Sequence, residues 1–102
     1  MEVNMPKAVK VSPMLNHDRL RIIRKGHANV SDLQKFIPAS RTKAQAEYQT
    51  IAREIMLAEG KEVAWYGIEI ERVLKHYHMT EQDIRRWAKD EAAIQQVTLE
   101  TN

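Results

Sequence analysis

The sequence predicts a mainly α fold, a compact helical domain of about five helices. Three observations carry that prediction. Ala44, Tyr48, Ile51, Ala52 and Ile55 form one apolar stripe with the 3.6-residue period of a helix. Residues that start helices (Ser31, Ser40, Thr80) alternate along the chain with residues that stop them (Gly26, Pro38, Gly60). No segment shows the sustained alternation of a strand, and only three glycines are present to turn hairpins.

A length of 102 residues suits one domain with a modest core. The 43% hydrophobic and 29% charged content is ordinary for a globular protein. With no cysteine, disulfides and thiolate metal or redox centres are excluded. Apolar runs fall far short of the ~20 residues that span a bilayer. The opening MEVNMPKAVKV lacks the apolar region of a signal peptide, so a cytoplasmic protein without a membrane partner is expected. No internal repeat or low-complexity segment is evident in the residues.

Taken in order, residues 1–13 read as an N-terminal arm broken by Pro6 and Pro13, with room for a short edge strand at Lys7–Val11. A first helix is expected from about Asn16 to Lys25, with Leu15, Ile22 and Ile23 as its apolar face and Gly26 as its stop. Ser31-Asp32-Leu33-Gln34 has the form of a capping box. It opens a short helix that buries Leu33, Phe36 and Ile37 and ends before Pro38. Ser40 then caps a helix of about 20 residues that Gly60 closes.

Glu62–Gly67 reads as a loop or short extended segment carrying Val63, Trp65 and Tyr66. A helical stretch begins at Ile68, and Thr80-Glu81-Gln82-Asp83 caps a last helix with an acidic first turn. That helix points Ile84, Trp87 and Ala88 inward, runs to about Gln95, and leaves 97–102 frayed. The domain reading is therefore an arm (1–13), a core domain (14–79) and a C-terminal helix (80–102). The last is a candidate homodimer element through Ile84, Trp87 and Ile94.

Charge is distributed unevenly. Between Lys7 and Lys43, nine basic residues meet only Asp18 and Asp32, a local net charge of +7, whereas 44–102 carries −4. A basic half points to an anionic partner, most commonly nucleic acid. The two helices joined by Pro38-Ala39 form a helix-turn-helix candidate, in which the second helix lies in the major groove of double-stranded DNA. Its first turns carry Arg41 and Lys43 at a helix end that is already positive, an unfavourable placement unless an anion sits there. Arg41, Gln45 and Gln49 have the donors and acceptors to read base edges, and Thr42 can meet a thymine methyl.

Ser40, Lys43, Lys35 and the cluster Arg19, Arg21, Arg24, Lys25 are expected phosphate contacts; Lys7 and Lys10 give the arm a similar reach. A solvated surface remains the plainer reading of all these charges. Trp65-Tyr66 admits stacking on a single strand, packing onto the helices, or a place in a wing-like connector.

Catalytic signatures are missing: no paired carboxylates, no nucleophile beside a base, no glycine-rich phosphate loop. His76 and His78 point about 200° apart on a helix and do not form a zinc pair. The chain reads as a non-enzyme without cofactor or metal.

The stretch LQKFIPASRTKAQAEYQTIAREIMLAEGKEVAWYGIEIERVLKHYHMT resembles the small helix-turn-helix proteins of Gram-positive phages and integrative mobile elements, some excisionase-like and some regulatory. The resemblance covers roughly Ser31–Thr80. It implies duplex binding by the helix after Ser40, with Trp65-Tyr66 near a wing-like connector, although the hairpin turn of a true wing is missing. A transcriptional regulator or recombination accessory protein is the expected role. A protein–protein interaction module, such as a phage factor that binds a host protein, is the competing one.

Overall fold

A computed structural model describes residues 12–101, with side chains described through residue 94. Among the described residues, five helices and a two-stranded sheet make up the fold. Helix α1 spans Leu15–Lys25, strand β1 His27–Ala28, helix α2 Val30–Phe36 and helix α3 Arg41–Glu59. Strand β2 spans Ile68–Glu69, helix α4 Ile70–His76 and helix α5 Glu81–Thr101. The mainly α class holds. The expected arm, with its edge strand, Lys7 and Lys10, lies outside the described residues.

Three local expectations are corrected. First, α2 is capped two residues earlier than the Ser31 pattern suggests. Asn29 accepts from the Asp32 backbone at 2.8 Å, and Asp32 accepts from the Asn29 backbone at 3.0 Å, so the capping box is Asn29/Asp32. Ser31 and Gln34 are thereby freed for other contacts.

Second, Ile68-Glu69 is a strand. It pairs antiparallel with β1, Ala28 opposite Ile68 and His27 opposite Glu69, so its partner is remote in sequence and no wing hairpin forms. Gly67 is required at this crossing. Its φ is +135°, and a Cβ there would sit 2.7 Å from the Ala28 carbonyl oxygen. Third, α5 continues to Thr101, past the expected end near Gln95.

A repeat hidden in the sequence organises the fold. Adding 40 to a residue number carries α2 (Val30–Phe36) onto α4 (Ile70–His76) and the α3 cap Ser40 onto the α5 cap Thr80. Backbone bonds repeat as well. Ile37 N–H to Leu33 O matches Tyr77 to Val73, Ala39 to Gln34 matches Met79 to Leu74, and Ala44 to Ser40 matches Ile84 to Thr80. Ala28 and Ile68 are both equivalents and direct partners, so the two units meet about a local two-fold axis at that pair.

The symmetry fails after the turns. Pro38 has a fixed φ and no N–H, while its equivalent His78 takes φ 55° and donates to the Lys75 carbonyl, completing a Schellman end. The long helices then diverge: α3 packs against α2, whereas α5 lies along α1.

The core is formed by Ile22, Leu33, Phe36, Ala44, Ile51, Ile68, Val73 and Ile84, all essentially inaccessible. Burial of such residues supplies most of the driving force for folding. Ile84 is 0% exposed and Trp87 packs against the core. That removes Ile84 from any dimer surface. The first half of α5 belongs to the domain.

Candidate nucleic-acid interface

Helix α3 divides into two faces. Ala44 and Ile51 are buried, and Tyr48 and Ile55 pack beside them. Arg41, Thr42, Lys43, Gln45 and Gln49 are all exposed, placed there by the same period that buries the stripe. No acidic residue occupies the first turn. Ser40 Oγ accepts from the Lys43 backbone N–H at 3.2 Å, which leaves its hydroxyl hydrogen free to donate outward.

The repeat supplies an internal comparison. The start of α5, equivalent to that of α3, carries Glu81 and Asp83, each joined to an arginine one turn on, Arg85 and Arg86 respectively. Carboxylates there complement the helix dipole. At the matching positions α3 carries Arg41 and Lys43, the opposite sign.

Arg41 reaches back to α2, its Nη1 donating to Ser31 Oγ at 3.3 Å and to Gln34 Oε1 at 3.4 Å. These long bonds hold the guanidinium loosely over the α2–α3 junction. The sequence pattern hides Ser31 and Gln34 from this surface, because their spacing reads as a capping box. Gln34 and Lys35 border a small cleft with Asp18 and Ser12, and Asp18 pairs with exposed Arg21 at 3.5 Å. One surface thus runs from Arg21 through Lys35 and Gln34 to Arg41. Ser12 places the root of the arm beside it.

The expected phosphate contacts separate into two groups. Arg21, Arg24, Lys35, Ser40 and Lys43 are exposed; Arg24 also suits the last turn of α1 on dipole grounds alone. Arg19 is engaged within the fold, and Lys25, although exposed, is held in an ion pair. Arg19 donates from Nε to the Phe36 carbonyl at 2.8 Å and from Nη1 to Asn16 Oδ1 at 2.9 Å. Its guanidinium lies 5.4 Å from the Phe36 ring centroid. Burial lowers its pKa, against the opposing pull of Glu91. Arg19 therefore closes the C-terminal end of α2. Lys25 Nζ contacts both carboxylate oxygens of Asp32, at 2.9 and 2.8 Å, tying α1 to the α2 cap.

Trp65 does not pin the connector, being 94% exposed. Among the described residues no group of three His, Asp or Glu gathers to hold a metal, and His76 pairs with Glu54 at 3.0 Å. No described helix is long and apolar enough to cross a membrane. Comparison with family models, curated proteins and solved structures finds no match to this chain.

Proposed function

We propose that the chain binds double-stranded DNA through the start of α3 and the adjoining face of α2, as a regulator or recombination accessory protein. A cytoplasmic setting is compatible with that partner. The observation that carries this reading is the sign reversal between equivalent helix starts. Where the second unit places Glu81 and Asp83, the first exposes Arg41 and Lys43. Cations at a positive helix end are favourable once a phosphate sits between them. Gln45 and Gln49 follow on the same exposed ridge with the geometry to pair with adenine edges.

In this reading Lys35, Lys43, Arg21 and Ser40 anchor phosphates, and Arg41, Thr42, Gln45 and Gln49 face the bases. The test is fluorescence anisotropy of a labelled random-sequence duplex over a salt series. Binding with a steep negative dependence on salt is expected, because each neutralised phosphate releases counterions. Absence of binding at ~50 mM salt, or binding indifferent to salt, would overturn the proposal.

A further inference from the structure

The far end of α3 carries a second surface of different chemistry, about 27 Å from the helix start for a 19-residue helix. Beyond Gly60 the connector returns to β2 and leaves Trp65 94% and Tyr66 49% exposed. Their rings meet edge to face at 5.6 Å, and Tyr66 in turn stands edge-on to His27 at 4.5 Å. This aromatic row flanks a groove of about 230 Å³ floored by Ile55, Val63 and Ile68.

Carboxylates edge the groove. Two cations, Arg72 and Lys61, also line it; Arg72 holds Glu59, so exposed Glu62 and Glu69 outnumber the remaining Lys61. Glu69 stands directly across the strand pair from His27. An almost fully exposed tryptophan near a groove with an apolar floor and charged rim is the kind of anchor that protein interfaces use.

We infer that this groove docks a lysine- or arginine-bearing segment of a partner protein. A cation is attracted by the ring faces and by the unpaired carboxylates, and its aliphatic stem suits the apolar floor. Those same carboxylates oppose a phosphate backbone, so the rings are poorly placed for stacking on a single strand. The inference does not depend on DNA binding. If both hold, one chain joins a duplex at the start of α3 to a basic protein segment at its end.

The experiment is an NMR titration of the full chain with a capped Arg-Leu-Arg-Leu-Arg peptide, following the Trp65 indole signal, assigned by its loss in Trp65→Phe. A saturable shift of that signal and of the 61–69 amides is expected, with no shift from a Glu-Leu-Glu-Leu-Glu peptide. Glu62→Gln with Glu69→Gln, both at exposed positions, is expected to weaken binding at least tenfold. The proposal is overturned by no saturable shift, by equal response to both peptides, or by unchanged affinity in the double variant. A larger shift from a single-stranded oligonucleotide than from the basic peptide also overturns it.

Discussion

Glu91 on α5 caps the first turn of α1: its Oε1 accepts from both the backbone N–H and the side-chain amide of Asn16, each at 2.6 Å. Oε2 accepts from the His17 backbone N–H at 3.3 Å and lies 3.0 Å from its Nδ1. Met14, at the N-cap position, offers no side-chain cap of its own. The donors left open at the start of α1 are therefore satisfied from the opposite end of the chain. Glu91→Ala is expected to cost about 1–3 kcal/mol, read from urea denaturation. An unchanged midpoint would show that α1 does not need this cap.

The same contact fixes a pH dependence. Burial pushes the Glu91 pKa upward, but the hydrogen bonds from Asn16 and His17 outweigh it, so the pKa lies below the ordinary 4.5. A depressed folded-state pKa gives stability that is complete above about 4.5 and lost as pH falls through the folded value. Glu91→Gln is expected to flatten that acid limb in urea midpoints collected between pH 6 and 3.

Gly67 tests the strand crossing. With φ +135° and only 2.7 Å between an added Cβ and the Ala28 oxygen, Gly67→Ala is expected to destabilise by about 2–3 kcal/mol. A thermal midpoint equal to that of the parent chain would contradict the close approach of the two units.

His78 is the one described non-glycine residue at positive φ. His78→Gly removes the Cβ penalty of that conformation and is expected to stabilise by about 0.5–1 kcal/mol. A loss of stability would mean that the imidazole makes a contact worth more than the strain.

The Tyr77 hydroxyl is buried with no hydrogen-bond partner among the described residues. Burial, together with the carboxylates of Glu47 and Glu54, pushes its pKa up to about 12. Because the hydroxyl is desolvated without compensation, Tyr77→Phe is expected to be neutral or stabilising by up to about 1 kcal/mol. A destabilised variant would reveal a partner for that oxygen.

Helix α3 was legible in the sequence because its stripe is long and both ends carry strong signals, Ser40 and Gly60. The start of α2 was not, since Asn29-x-x-Asp32 and Ser31-x-x-Gln34 overlap in the same window and only geometry selects between them. Two-residue strands lie below what alternation can reveal, and the pairing that defines them joins residues about 40 apart. The repeat is illegible in the sequence because, between 27–48 and 67–88, only Lys35 and Lys75 are identical. What persists at the structural positions is polarity: Leu33 with Val73, Ser40 with Thr80, Ala44 with Ile84. For the site, exposure of Arg41, Thr42, Lys43, Gln45 and Gln49 followed from helical phase. The enclosure of Arg19 and the pairing of exposed Lys25 with Asp32 depend on tertiary contacts that no local pattern encodes.

The proposal that the start of α3 meets DNA is tested by mapping backbone amide shifts as duplex DNA is added to the labelled chain, alongside Arg41→Ala with Lys43→Ala. Shifts concentrated in 31–35 and 40–49, with binding weakened at least tenfold in the double variant, are the predicted result. Shifts centred on the 61–69 connector or on α5, or full affinity without Arg41 and Lys43, would contradict the claim.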